Sequence, residues 1–177
     1  KAIEDAKKLG QVQIVFDGKE SNFTTLPDPA SVKVDPASAY LHFTSNETIG
    51  GLQWKGWPEA GEVPLICDMS SDIFSRAVPV KKFAYIYAGA QKNLGPAGAT
   101  VAILREDMLE RIPSTLPAYL SYKNHVENDS LYNTPPVFAI WTIKLVLERM
   151  KKLGGLAAVA DHNARKAAVL YEAIARY

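Results

Sequence analysis

The sequence lacks the features that mark several classes of protein. It has a single cysteine, Cys67, among 177 residues, so no disulfide can form within the chain, and we expect a buried structural thiol in a reducing compartment. No apolar run approaches the roughly 20 residues of a membrane-spanning helix, and we expect no membrane partner. Lys and Arg total 20 against 19 Asp and Glu, without blocks of like charge, so no nucleic-acid partner is predicted.

The usual sequence patterns for nucleotides and metals are also missing. GxxxxGK[ST] does not occur, and no GxGxxG stands between a strand and a helix, so neither phosphate-binding loop is predicted. The histidines are too dispersed to predict a metal site, and surface or packing roles are expected for His42, His125 and His162. Packing roles are also expected for Trp54, Trp57 and Trp141, and a helix-surface position for Arg76.

What the sequence does have is a series of short apolar runs that end in polar residues. They are AYLHFT, PLICDMSS and AYIYAGAQK, and such runs are typical of buried strands in a parallel sheet. Ligands of open α/β sheets bind just beyond the carboxyl ends of the strands. Thr48, Asp68 and Lys92 each lie at or beyond the end of a run, so they are candidate site residues.

The remaining segments complete the prediction of an α/β fold, a three-layer α/β/α arrangement with a mostly parallel sheet. ATVAILRED follows the third run too closely for a helical crossover, so we expect it to run antiparallel to that run. Two helices are predicted, VFAIWTIKLVLERMKKLGG, ending at Gly154 and Gly155, and LAAVADHNARKAAVLYEAIARY. Near the start we expect a helix over residues 2–9, closed by Gly10, and a strand over QVQIVF. Residues 17–38 and 54–64 are predicted to be connections.

Lys92 and Asp68 gain meaning as a pair. Alone, Lys92 has the position of a solvated loop lysine, and Asp68, beside Ser70 and Ser71, has that of a helix cap. A lysine and a carboxylate at neighbouring strand ends are what pyridoxal phosphate requires, since the lysine holds the aldehyde as a Schiff base and the carboxylate keeps the pyridine nitrogen protonated. The pair therefore favours a vitamin B6 site.

Four stretches in this order carry a family resemblance: HFTSNETIGG, CDMSSDIFSRAV, YIYAGAQKNLGPAG and SLYNTPPVF. The chain resembles the phosphoserine aminotransferases, class V aminotransferases of pyridoxal phosphate fold type I. The resemblance covers essentially all of residues 1–177 but only about the middle half of the usual chain. It implies the central part of the cofactor-binding large domain, with the N-terminal segment and the C-terminal small domain absent.

The resemblance also implies roles for individual residues. Lys92 matches the lysine that binds pyridoxal 5'-phosphate and moves the substrate proton, and Asp68 matches the aspartate that pairs with the pyridine nitrogen. Thr48 matches a threonine at the cofactor ring or its phenolic oxygen, and Gln91 matches a glutamine at the cofactor phosphate. Asn133 and Thr134 match residues that reach the phosphate bound in the other subunit, which implies a homodimer with a shared site.

The implied reaction is transamination between phosphoserine and 2-oxoglutarate, giving 3-phosphohydroxypyruvate and glutamate, in serine biosynthesis. The implied location is cytoplasmic, or a plastid if the source is a plant or alga. A chain limited to these residues would lack the substrate half of the site, so we expect it to be inactive alone. Two alternatives stay open: another fold-type I enzyme, such as a cysteine desulfurase or an alanine–glyoxylate-type aminotransferase, and a folded fragment without catalysis.

Overall fold

A computed structural model describes residues 2–177 of the chain. The strands in that range are β1 (Leu41–Thr44), β2 (Asn46–Glu47), β3 (Leu52–Gln53), β4 (Leu65–Asp68), β5 (Tyr85–Gly89) and β6 (Thr100–Leu104). The α-helices are α1 (Ala2–Ala6), α2 (Asp107–Glu110), α3 (Tyr122–Glu127), α4 (Val137–Lys152) and α5 (Gly155–Ala175). Short 3-10 turns lie at Gly18–Ser21, Pro29–Ser31, Val80–Lys82 and Ala118–Leu120.

Four of the strands form one sheet in the order β1-β4-β5-β6. β1 and β5 both run parallel to β4, whereas β6 is antiparallel to β5. The connection from β5 to β6 is residues 90–99, in which Gly98 adopts a φ of 118° that favours glycine. The mixed α/β fold with a mostly parallel sheet and the antiparallel return are therefore confirmed.

One face of the sheet forms the core. Alternate residues of β4 and β5 are buried there, namely Leu65, Cys67, Ile86 and Ala88, as expected from the period of two in a strand. The aromatic rings of Phe43, Trp57 and Phe83 pack over this face in contact with one another. Ile143 and Leu147, one turn apart on α4, also pack against this cluster.

The opposite face of the sheet is only partly covered and carries polar side chains. His42, Asp68, Tyr85 and Tyr87 lie on it, and all are half-buried. Tyr85 is covered by Tyr122 of α3, whose ring centroid is 5.5 Å away. The two faces therefore differ in chemistry, with the apolar contacts on one and the ionisable groups on the other.

Two long helices close the chain as predicted. Gly154 separates them with a φ of 104°, the left-handed conformation that commonly ends a helix. Gly155 is the first residue of α5 rather than part of the end of α4. None of the helices described in residues 2–177 is both long and apolar enough to cross a membrane.

Two predictions about apolar residues are wrong. QVQIVF at residues 11–16 forms no strand, and Ile14 and Phe16 in it are 50% and 43% exposed. A strand needs a partner for its backbone groups, and no strand within residues 2–177 pairs with this segment. Trp141 is 54% exposed because it lies on a different side of α4 from the core-facing Ile143 and Leu147.

Cys67 provides a test of the core. Its side chain is fully buried, and burial, reinforced by the nearby charge of Asp72, raises the pKa of the thiol. Since the thiolate is the reactive form, we expect the folded chain to react with iodoacetamide at least about a hundredfold more slowly than the chain unfolded in urea. Mass spectrometry measures the rate of alkylation, and equal rates with and without urea would contradict the burial of Cys67. The variant Cys67→Ser, which has no thiol, is the control for reaction at other residues.

Candidate functional site

The candidate site lies where the chain leaves three strands of the molecule. Asp68 is the last residue of β4, and Lys92 follows β5 by three residues. Thr48 directly follows β2, the short strand that comes after β1. Because β1, β4 and β5 are parallel, their carboxyl ends meet at the same edge of the sheet. The structure therefore brings these three segments to the edge at which the sequence predicted a ligand.

Lys92 and Thr48 are in direct contact although they are 44 residues apart. The Lys92 amine donates a hydrogen bond to Thr48 Oγ1 at 2.6 Å. Both side chains are exposed, so the amine is accessible to a small molecule. The hydroxyl thus fixes the direction of the amine without enclosing it.

The carboxylate of Asp68 is held by the turn that follows it. Asp68 Oδ1 accepts a hydrogen bond from the backbone N–H of Ser70 at 2.8 Å. The bond closes the turn after the strand, although no helix begins there as a helix-cap role would require, and it leaves further acceptor positions on the carboxylate free. The side chain remains half-buried on the polar face of the sheet.

The residues 69–75, which we call the serine turn, connect all three segments. Ser70 Oγ accepts from the backbone N–H of Gly89 at the end of β5, at 3.1 Å. Ser71 Oγ donates to the backbone oxygen of Asn46 in β2 at 2.8 Å, and Asn46 Nδ2 donates back to Ser71 Oγ at 2.9 Å. The two serines therefore tie the turn after Asp68 to the strands that lead to Lys92 and Thr48.

Asn93 adds a second connection between the lysine and the serine turn. Its side-chain amide donates to the backbone oxygen of Ile73 at 2.7 Å. Because Asn93 directly follows Lys92, this bond fixes the backbone from which the amine projects. The sequence analysis did not single out Asn93, although it stands in the AGAQKN stretch.

A buried carboxylate anchors the serine turn on its inner side. Asp72 is 8% exposed and accepts hydrogen bonds from Ser45 Oγ and, at 3.0 Å, from Gln53 Nε2. Arg76 Nη2 lies 3.8 Å from Asp72 Oδ2, and the guanidinium lies over Trp57, 4.7 Å from its ring centroid. The predicted helix-surface position of Arg76 is therefore wrong, since its side chain is only 22% exposed. The one sign of this cluster in the sequence is the pair of opposite charges four residues apart, Asp72 and Arg76, although they lie in a turn rather than in a helix.

His42 and Tyr87 lie beside Asp68 on the polar face. His42 Nε2 is 3.0 Å from the Tyr87 hydroxyl, and the two rings are stacked. Burial lowers the pKa of His42, against the opposing effect of the Asp68 charge. Burial, followed by the nearby charge of Asp68, raises the pKa of Tyr87 to about 12. His42 has the expected packing role, but sequence reasoning gave no indication of its place beside Asp68.

The other three predicted residues are exposed. Gln91 folds over Gly89, where an added Cβ would lie 2.6 Å from Gln91 Oε1, so the glycine leaves room for this amide. Asn133 and Thr134 are exposed, and Asn133 Nδ2 donates only to the backbone oxygen of Thr134, at 3.3 Å. Within residues 2–177 no hydrogen bond joins either of them to Thr48, Asp68 or Lys92.

These groups fit the chemistry of pyridoxal phosphate. The accessible amine of Lys92 suits its aldehyde, and the free acceptor positions of Asp68 suit a protonated ring nitrogen. The exposed Gln91 amide, which lies against Gly89, can donate a hydrogen bond to a polar ligand at this edge.

Comparison with known proteins gives a consistent result. The profile of the family described as aminotransferase class-V matches residues 1–177. The phosphoserine aminotransferase of Geobacillus kaustophilus is 54% identical over 174 residues, which are 98% of this chain and 48% of the relative. The chain thus spans about half the length of the curated relatives it matches.

Solved structures show the same similarity. Phosphoserine aminotransferase from Bacillus circulans subsp. alkalophilus superimposes with a TM-score of 0.94 at 47% identity, covering 98% of this chain and 48% of that one. The pyridoxal phosphate-bound phosphoserine aminotransferase from Trichomonas vaginalis gives a TM-score of 0.80 at 39% identity, covering 87% and 45%.

Removing the Asp72 carboxylate is expected to be costly. Asp72→Ala would leave the half-buried guanidinium of Arg76 without its partner and the buried Ser45 hydroxyl without its acceptor, so we expect a loss of about 3 kcal/mol in the free energy of unfolding. The matched control is Asp161→Ala, which breaks a spacing-of-four pair with Arg165 on an exposed helix surface and should cost much less. If urea unfolding showed similar losses of stability for the two variants, the Asp72 cluster would not be an anchor of the serine turn.

Protonation of His42 is expected to destabilise the fold. Its folded-state pKa is lowered, so the unfolded chain takes up a proton at this residue at higher pH. The stability gained by keeping His42 neutral is fully present above about pH 6.5, the pKa of histidine in an unfolded chain. It is lost as the pH falls below that value. We expect the free energy of unfolding to fall more steeply from about pH 7 to about pH 5.5 in the wild type than in His42→Gln. Parallel pH curves for the two proteins would argue against this burial.

Proposed function

This chain belongs to the class-V aminotransferase family, and from that premise we propose that it is the central, lysine-bearing part of a pyridoxal phosphate-dependent phosphoserine aminotransferase. The observation that carries the proposal is the accessible Lys92 amine, directed by Thr48 at the sheet edge that also carries Asp68. The similarity to phosphoserine aminotransferases over 98% of the chain supports the same assignment.

Lys92 has two tasks in this proposal. Its amine would hold the cofactor through the aldehyde group, and as a free amine it would move a proton to and from the substrate's alpha carbon. The hydrogen bond to Thr48 Oγ1 orients the amine, and the bond from Asn93 to the serine turn fixes its backbone. Accurate placement matters because proton transfer requires close approach of the amine to the reacting carbon.

Asp68 supplies the opposing charge. Pyridoxal phosphate, when bound, acts as an electron sink for the bonds at the substrate's alpha carbon. Asp68 would accept a hydrogen bond from the protonated ring nitrogen and so stabilise its charge. The bond from the Ser70 N–H keeps the carboxylate at the strand end while leaving acceptor positions for the ligand.

Phosphate binding is assigned to neutral groups. Gln91 would contact the cofactor phosphate of its own chain, and Asn133 and Thr134 would reach the phosphate of a second subunit. The exposure of all three side chains is compatible with contacts to groups outside this chain. Amides and hydroxyls can bind a phosphate by hydrogen bonds, and the proposal includes a homodimer with a site shared between subunits.

The substrates in the proposal are phosphoserine with 2-oxoglutarate and, in the reverse direction, 3-phosphohydroxypyruvate with glutamate. This part follows the names of the relatives, which are phosphoserine aminotransferases at 45 to 54% identity. The pathway would then be serine biosynthesis.

Borohydride trapping tests the role of Lys92. We expect the chain mixed with pyridoxal phosphate and reduced with borohydride to carry the cofactor mainly on Lys92, because this amine is accessible and directed by Thr48. Peptide mass spectrometry locates the adduct, and Lys92→Ala is the control, which should lose it. Adducts scattered over Lys81, Lys82 and Lys123, unchanged in the variant, would contradict the assignment.

A chimera separates enzyme from inert fragment. The flanking segments of the Geobacillus kaustophilus relative, fused to this chain, give what we call the completed protein. It should transaminate phosphoserine with 2-oxoglutarate, and Lys92→Ala should abolish this activity. Cofactor attachment to Lys92 without turnover would identify a binding fragment, and turnover with another amino acid but not phosphoserine would identify a different aminotransferase.

A further inference from the structure

His42 and Tyr87 form a hydrogen-bonded pair next to Asp68 that the proposed chemistry does not use. His42 lies on β1 and Tyr87 on β5, and β4, which ends in Asp68, runs between them. His42 Nε2 and the Tyr87 hydroxyl are 3.0 Å apart, with ring centroids 6.0 Å apart. The pair therefore spans the strand that carries the candidate carboxylate.

The directions of the hydrogen bonds follow from the number of protons available. His42 is neutral near pH 7 because burial lowers its pKa, so its ring has one N–H to donate. The phenol of Tyr87 stays protonated because its pKa is raised to about 12, and it also has one proton to donate. The negatively charged carboxylate of Asp68 is the stronger acceptor for that proton, which leaves the Tyr87 oxygen to accept from His42.

We propose that Tyr87 and His42 are positioning residues for Asp68: His42 Nε2–H donates to the Tyr87 oxygen, and the Tyr87 hydroxyl donates to the Asp68 carboxylate. The inference rests on the proposed function, since it assigns the oriented carboxylate to the ring nitrogen of the cofactor. Tyr87 lies directly across from Asp68 in the register of β4 and β5. With the Ser70 N–H on one side and the Tyr87 hydroxyl on the other, the carboxylate would be restricted in rotation. Fewer orientations are then lost when the ligand binds, which favours binding.

A neighbouring tyrosine provides the matched control. Tyr85 lies on the same strand and the same face as Tyr87, and its hydroxyl hydrogen-bonds the Tyr122 hydroxyl rather than Asp68. Replacing either tyrosine by phenylalanine removes one half-buried hydroxyl and keeps the ring. Of the two, only Tyr87 is the register partner of Asp68, since Tyr85 pairs with Ile66.

The first test measures the affinity of the completed protein for pyridoxal phosphate by fluorescence titration. We expect Tyr87→Phe to weaken binding about tenfold, the usual scale for a hydrogen bond to a charged group, and Tyr85→Phe to weaken it less than about twofold. Binding is then repeated with deazapyridoxal phosphate, in which a C–H group replaces the ring nitrogen. Tyr87→Phe should bind this analogue as the wild type does, because Asp68 then has no ring N–H to accept.

The second test needs no cofactor. Imidazole nitrogen chemical shifts of His42, measured by NMR with labelled histidine, should show the neutral form with its proton on Nε2. His42→Gln, which retains a side-chain N–H at a similar reach, should keep the cofactor affinity of the wild type within about threefold. His42→Leu should weaken it as Tyr87→Phe does.

Several results would overturn the inference. Equal effects of Tyr87→Phe and Tyr85→Phe, equal losses for pyridoxal phosphate and its deaza analogue, or a His42 proton on Nδ1 would each show that the pair does not orient Asp68. Failure of the proposed function itself looks different, since Lys92→Ala would then bind the cofactor as well as the wild type.

Discussion

The hydrogen bonds of the serine turn, residues 69–75, are the constraint on which the candidate site depends. Asp72 anchors this turn from inside through Ser45, Gln53 and Arg76. From the same turn, Ser70 and Ser71 bind the segments that lead to Lys92 and Thr48. Each strand end alone would be free to adopt several backbone conformations, and ordering it costs conformational entropy. One buried carboxylate therefore fixes the positions of three separate strand ends.

Two aspartates four residues apart serve different purposes because their surroundings differ. Asp72 is buried and accepts hydrogen bonds from Ser45 and Gln53. Asp68 lies half-buried on the polar face, accepts a hydrogen bond from the Ser70 N–H and has Tyr87 across from it on β5. A buried carboxylate whose partners all belong to the chain supports the structure, whereas a half-buried carboxylate at a strand end is accessible to a ligand. The chemistry thus belongs to the polar face and its mechanical support to the core.

The strands of the sheet could be predicted from the sequence, because each is indicated by a pattern of neighbouring residues. The apolar runs identified β1, β4 and β5, and the short connection after Lys92 identified the antiparallel β6. The proximity of Thr48 and Lys92 followed from the general placement of ligands at strand ends. The prediction was wrong for QVQIVF, because strand formation depends on a pairing partner rather than on the residues themselves.

Long-range contacts explain what the sequence could not predict. Arg76 is held by Trp57, which lies in a loop whose path no local pattern indicates. The contact between His42 and Tyr87 joins residues 45 positions apart, and it depends on the register of three strands.

The most direct measurement of the proposed site is a crystal structure of the completed protein with pyridoxal phosphate. We expect continuous density from Lys92 Nζ to the cofactor and Asp68 within hydrogen-bond distance of its ring nitrogen; a cofactor joined to another lysine, or Asp68 turned away from the ring, would contradict the account.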